Sequence, residues 1–201
     1  MNAAQRVYVI DDDEAVRDSM GMLLESADLG YECFASADDF FAQYDDSRRG
    51  CLVLDIRMPG MTGLELQRKL GAEGSTLPII FLTGHGDVPM AVEAMRHGAF
   101  DFLRKPVNES DFIDRIQLAL DLEAGNWHQK TDREQARERI ASLTERENEV
   151  FDMVATGVAN KVIASELGIS ERTVEVHRSQ VMKKLGARTL AQLVRLHIQS
   201  E

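Results

Sequence analysis

Val7-Tyr8-Val9-Ile10-Asp11-Asp12 is four apolar residues followed at once by two carboxylates. The run is rich in β-branched and aromatic side chains and too short for a helix, which is the pattern of a strand buried on both faces. Working outward, the same figure returns at Cys51-Leu52-Val53-Leu54-Asp55, at Ile79-Ile80-Phe81-Leu82-Thr83 and, shortened, at Phe102-Leu103 ahead of Arg104-Lys105. Tyr31–Phe34 supplies a further strand. Helical periodicity fills the intervals at 15–27, 37–44, 64–70, 90–97 and 109–122.

Strand and helix alternating in this way predict an α/β doubly wound domain with a five-stranded parallel sheet, in the flavodoxin-like order 2-1-3-4-5. Parallel sheets place their sites at the carboxyl ends of the strands. In this order strands 1 and 3 are neighbours, so Asp11, Asp12 and Asp55 converge, with Thr83 and Lys105 on the same edge.

A chain of 201 residues suits two domains, and 44% hydrophobic residues suffice for real cores. No segment is long and apolar enough to span a bilayer, and the first strand begins too early to leave room for a secretory leader. Cys33 and Cys51 both sit in strand-like runs and read as buried thiols of a reduced, cytoplasmic protein. The net charge of −11 is unevenly spread: residues 140–201 hold eight basic and eight acidic side chains, so the whole excess lies before them. A neutral C-terminal part is compatible with nucleic-acid binding.

From 123 to 139 the pattern thins into Glu, Gln, Lys and Arg around Gly125 and Trp127, a linker expected to be partly helical. Ile113, Ile116, Leu120 and Trp127 fall at coiled-coil spacing, but the heptad fails at Glu123 and Lys130, and the first three are expected to cover the sheet. Beyond Ile140 the texture is purely helical. Thr144-Glu145-Arg146-Glu147 is a capping box, Asn160–Leu167 a short helix closed by Gly168, and Ser170 the cap of a longer helix through Leu185, before a last one at 189–199. The expected domains are therefore 1–122, a linker 123–139, and 140–201.

Carboxylates at neighbouring strand ends suit a hard divalent cation, Mg²⁺ or Mn²⁺, which takes oxygen ligands and keeps several waters. Asp11, Asp12, Asp55 and the backbone carbonyl of Arg57 are the candidate ligands. Beside such an ion Asp55 can attack phosphorus and form an aspartyl-phosphate, with Thr83 and Lys105 contacting phosphoryl oxygens. Lys105 precedes Pro106, where a cis peptide is feasible. Arg57 and His85 lie two residues beyond Asp55 and Thr83, over the mouth of the site.

In the C-terminal part, Ile163-Ala164-x-x-Leu167-Gly168-Ile169-Ser170-x-x-Thr173-Val174 has the form of a helix-turn-helix. Val174, Val181 and Leu185 make its buried face. Arg172, Val176, Ser179 and Lys183 stand opposite it, with Glu175 and Gln180 alongside, a mixture suited to the major groove. There Glu175, Val176 and Ser179 can meet base edges, and Thr173 is a further DNA-contact candidate. Lys161, Arg172, Arg178, Lys183, Lys184 and Arg188 are placed to meet phosphates and set register. His177, beside the core face, reads as a structural hydrogen-bonder.

Residues 1–122 resemble a two-component receiver domain, with Asp11, Asp12, Asp55, Thr83 and Lys105 filling its motif, and Gly84-His85-Gly86-Asp87-Val88-Pro89-Met90-Ala91 resembles the FixJ-type receivers. Leu143-Thr144-x-Arg146-Glu147, Asn160-Lys161-x-Ile163-Ala164 and Thr173-Val174-Glu175-Val176-His177-Arg178 resemble the LuxR-type DNA-binding domain. Together the chain looks like a response regulator of the NarL/FixJ branch. The resemblance implies a sensor histidine kinase as phosphodonor, Phe102 as the aromatic that turns inward on phosphorylation, and double-stranded DNA as target. It also implies a phosphorylation-favoured homodimer that activates transcription, with RNA polymerase a further partner and no membrane involved. Met90, Arg96, Arg104 and Asp111 lie on or near the face of helix 4, strand 5 and helix 5 that the dimer would use. Two other readings compete: a Mg²⁺-dependent phosphohydrolase, for which no substrate pocket or general acid is visible, and a ligand-controlled LuxR-type regulator, which leaves the acidic constellation unexplained. The chain is expected not to be an enzyme, beyond slow loss of its own phosphoryl group.

Overall fold

The computed structural model describes residues 4–84 and 88–200. Two compact units divide the chain, 1–127 and 128–201. In the first, β1 (Arg6–Ile10), β2 (Tyr31–Phe34), β3 (Gly50–Asp55), β4 (Ile79–Thr83) and β5 (Asp101–Arg104) form one sheet in the order β2-β1-β3-β4-β5. All pairings are parallel, and Ile10 stands opposite Leu54, Asp55 opposite Leu82 and Thr83 opposite Arg104.

Alternating side chains divide the sheet into two cores. Tyr8, Ile10, Leu52, Leu54, Ile79 and Phe81 face one way, against α2 (Ala37–Ala42) and α3 (Gly63–Ala72). Val7, Val9, Cys51, Val53, Ile80 and Leu82 face the other, with α1 (Glu14–Ser26) and the first half of α5 (Glu109–Ala141). Phe81 is fully buried, and truncating such a side chain to Ala costs about 3–5 kcal/mol. α4 (Val88–Arg96) brings Ala94 to the first cluster.

Two expectations about burial fail at the sheet edges. β5 alternates half-buried and exposed positions, and Phe102 is 45% exposed. Cys33, on the opposite edge strand, is exposed, while Cys51 on central β3 is buried and its thiol is pushed up to about 12 by desolvation. Edge strands lack a neighbour on one side, so an apolar run there need not be covered.

Residues 123–139 are helical throughout, as part of α5. Glu123 is buried and bidentate with Arg49, at 3.1 Å for both bonds, and accepts from Gln5 at 2.6 Å. The Arg49 guanidinium lies 4.9 Å from the centre of the Trp127 ring. Ile116 and Leu120 are buried against the sheet and Ile113 is half-buried there, as expected.

The second unit holds α6 (Glu145–Ala155), α7 (Asn160–Leu167), α8 (Glu171–Leu185) and α9 (Leu190–Ser200). Its core is Val150, Phe151, Val154, Ile163, Ala164, Val174, Val181, Leu185 and Leu193 with their neighbours. Gly168 closes α7 at φ +65°, the left-handed conformation that glycine adopts without a Cβ penalty. Ser170 caps α8 by accepting from Thr173 N–H at 3.1 Å. No helix among the described residues is long and apolar enough to cross a membrane.

Candidate functional site

The carboxyl ends of β1, β3 and β5 meet as the topology requires. Lys105 Nζ lies 2.6 Å from Asp11 Oδ2 and 2.6 Å from Asp55 Oδ1, joining residues from three strand ends. Both carboxylates are nearly closed to solvent, Asp11 at 1% exposure and Asp55 at 8%. The Lys105–Pro106 peptide is cis, and Lys105 N–H donates to Thr83 C=O at 2.8 Å. Desolvation opposes the ammonium's charge, but its hydrogen bonds to the Asp11 and Asp55 carboxylates prevail and raise its pKa. Burial raises the Asp55 carboxyl, against the opposing pull of Lys105 and of the Arg57 amide.

Asp55 is aimed by the loop that follows it. Its Oδ2 accepts Arg57 N–H at 2.6 Å, and Gly63 N–H donates to Ile56 C=O at 3.1 Å, closing the loop onto α3. A Cβ on Gly63 would stand 2.3 Å from Asp55 C=O, so this helix start tolerates only glycine without a backbone shift. From α2, Asp38 Oδ2 accepts Met61 N–H at 3.1 Å and holds the far side of the same loop. Neither Gly63 nor Asp38 was foreseen.

Oxygen donors of this kind, with an ammonium already lodged between two of them, fit the chemistry of a hard cation. Among the described residues no three Asp, Glu, His or Cys side chains stand ready as a metal cluster. Asp12 is exposed at the rim and Asp13, beyond it, caps α1 by accepting from Ala15 N–H at 2.9 Å. Thr83 is buried, and its hydroxyl donates to Gly84 C=O at 3.0 Å. His85 and the loop 85–87 lie outside the described residues.

Arg96, Arg104 and Asp111 are exposed, whereas Met90 packs partly against the first core cluster. The sequence reading missed Val92 and Met95, 47% and 42% exposed, which with Ala91, Arg96 and Phe102 line a groove of about 360 Å³.

In the second unit Lys161, Arg172, Glu175, Val176, Ser179, Lys183 and Arg188 are exposed and Thr173 is half-buried. Two of the basic candidates are also tied into the fold. Arg178 donates to Asn160 Oδ1 at 2.7 Å, linking α8 to the start of α7. Lys184 pairs with the buried Glu147 at 2.6 Å. His177 is half-buried and its Nδ1 has no hydrogen-bond partner, so the structural bond expected of it is not made at that nitrogen. Arg146, already part of the α6 motif, donates to Leu167 C=O at the end of α7, a contact its spacing does not announce.

Residues 7–117 match the response regulator receiver domain, and 141–197 match the luxR family of bacterial regulatory proteins. The chain belongs to the response regulators. It is 47% identical to the transcriptional regulatory protein FixJ of Azorhizobium caulinodans, over 94% of this chain and 90% of that one. The response regulator protein TodT of Pseudomonas putida is 42% identical over 96% of this chain and 85% of its own length. The solved structure of the response regulator StyR superposes with a TM-score of 0.89 at 45% identity, covering 98% of this chain and all of that one. As a response regulator of the NarL/FixJ type, the chain joins a flavodoxin-like receiver to a LuxR-type DNA-binding domain, and it is a phosphorylation-regulated transcription regulator.

Proposed function

We propose that Asp55 is the phosphoacceptor of this regulator and that a histidine kinase is its donor. An Asp55 oxygen attacks phosphorus, the P–N bond to the kinase histidine breaks, and the aspartyl-phosphate forms. Asp11, Asp12, Asp55 and the Arg57 carbonyl hold Mg²⁺ or Mn²⁺, which supplies neutralisation of the incoming phosphoryl charge. Lys105 exchanges its contact with Asp55 for one phosphoryl oxygen, and Thr83 Oγ1 turns from Gly84 C=O to another. Phe102, exposed in this state, follows Thr83 inward, and the change passes to the α4–β5 face. The apolar groove there, with Arg96 and Arg104 nearby and Asp111 at the start of α5, is the surface for a second copy of this chain.

The dimer presents two α8 helices to paired half-sites about one helical turn apart in double-stranded DNA. Glu175, Val176 and Ser179 meet base edges, while Lys161, Arg172, Thr173, Lys183 and Arg188 meet phosphates or set register, with Arg178 and Lys184 contributing where their internal bonds allow. The outcome is activation of transcription through RNA polymerase in the cytoplasm. Slow hydrolysis of the aspartyl-phosphate resets the switch and turns over no other substrate.

The observation that carries this reading is the Lys105 ammonium at 2.6 Å from both Asp11 and Asp55. Incubation with acetyl phosphate and Mg²⁺, followed by intact mass and selection from genomic DNA fragments, tests it. Wild type is expected to gain one phosphoryl group and enrich discrete fragments, and Asp55→Asn to do neither. Phosphorylation of Asp55→Asn would sink the acceptor assignment.

A further inference from the structure

Arg17 stands where the helix dipole disfavours it: a cation in the opening turns of α1, three residues after Glu14 begins the helix. Its side chain runs back toward the acidic loop. Arg17 Nη1 donates to Asp11 C=O at 2.8 Å and to Asp12 C=O at 3.0 Å. One terminal guanidinium nitrogen carries two N–H bonds, so both carbonyls are held at once. Among the described residues Arg17 forms no ion pair with either carboxylate. It grips the loop by its backbone and leaves the side-chain oxygens of Asp11 and Asp12 for other partners.

The rest of the loop is fixed at its ends and not between them. Asp11 N–H donates to Phe34 C=O at 3.2 Å, and Asp13 N–H donates to Asp11 Oδ1 at 3.0 Å. Asp12, between them, is exposed, and its backbone is held through the single bond from Arg17 to its carbonyl. We propose that Arg17 is a positioning residue for the divalent cation, fixing the Asp12 backbone so that its carboxylate is presented to the ion. This rests on the reading of Asp12 as a metal ligand. Groups that orient ligands in this way change metal affinity by about 10- to 100-fold when removed.

The clamp and the charge of Arg17 act in opposite directions, which makes the idea decidable. Losing the clamp weakens binding of the ion; losing a nearby positive charge strengthens it. Mn²⁺ binding to the full chain, without phosphodonor, is read from the free-ion electron paramagnetic resonance signal. Arg17→Ala is expected to raise the dissociation constant about tenfold. Arg17→Lys keeps the charge but not the paired donor geometry, and is expected to fall between the two. With acetyl phosphate, the apparent Mg²⁺ requirement of Arg17→Ala rises while the rate at saturating Mg²⁺ stays near that of wild type. Unchanged or tighter Mn²⁺ binding by Arg17→Ala overturns the proposal. If Arg17→Ala does not fold, Arg17→Lys alone decides, and affinity equal to wild type overturns it. Asp12→Asn separates the two layers: wild type that binds no Mn²⁺, or Asp12→Asn that binds as well as wild type, removes the metal reading itself.

Discussion

Glu147 shows how one residue can be recognised locally and still be misjudged in weight. The capping box is written in the sequence, and the structure forms both halves of it: Glu147 accepts Thr144 N–H at 2.8 Å and Thr144 Oγ1 accepts Glu147 N–H at 3.3 Å. Lys184, some forty positions later, could not be assigned to it from spacing. Its ammonium first, and then the Thr144 amide, hold the Glu147 carboxyl down at about 2, against an ordinary value of 4.5. A folded-state pKa below the unfolded one contributes stability that is present above about 4.5 and lost as pH falls toward about 2. Denaturation of the second unit, followed by circular dichroism, should therefore become easier through that acid window. Glu147→Gln should be weaker than wild type at neutral pH and flatter across the window. Parallel pH profiles for the two proteins would dismiss the assigned role. The residues legible in advance (Asp11, Asp55, Thr83, Lys105) are those whose place follows from ending or directly following a strand of the sheet. Arg17, Asp38 and Gly63 act through backbone atoms of other segments, and no residue-type pattern announces that.

At the scale of elements, what the sequence conveyed best was whatever burial forces into a period. The three central strands follow their patterns closely because two-faced burial leaves no alternative, and α7 and α8 because each buries one apolar face. The β3–α3 connection is set instead by proximity. Gly63 opens α3 where a methyl group would collide with Asp55 C=O, yet Gly71 in the same helix has nothing within 4 Å. Gly63→Ala must displace the backbone of Asp55, the proposed phosphoacceptor, and a shift of about 1 Å at a reacting group costs on the order of 100-fold in rate. Gly71→Ala should leave the rate alone and stabilise α3 by about 0.5–1 kcal/mol. Acetyl-phosphate labelling with a parallel thermal melt compares them, and equal labelling of both would show that Asp55 is not aimed by this contact. α5 teaches the converse lesson. Its apolar periodicity stops near Leu122 while the helix continues to Ala141. Glu, Gln, Lys and Arg are good helix formers that need no core, and the anchor at Glu123 comes from Arg49, far away in sequence.

On the whole-molecule scale, each unit has its own hydrophobic cores, and the chain between them offers little to make them unfold together. From Ala124 to Ile140 only Ala136 is buried. A helical stretch of that length with so few packed side chains is marginal by itself and transmits cooperativity poorly. The second unit is also small, and domains below about 80 residues bury too small a share of their surface to be very stable. Trp127, the single tryptophan, belongs to the first unit and rests on the Arg49 guanidinium that neutralises Glu123. Its fluorescence therefore reports the first unit alone, whereas far-ultraviolet circular dichroism reports helices of both. In urea, part of the dichroism should be lost in an early step during which the fluorescence does not move, and the remainder should disappear together with the fluorescence change. Acid should bring the early step forward, through Glu147. Two curves that superpose at every urea concentration would show a single cooperative molecule, and the segment from 124 to 139 would then be a structural strut in place of a break between two folding units.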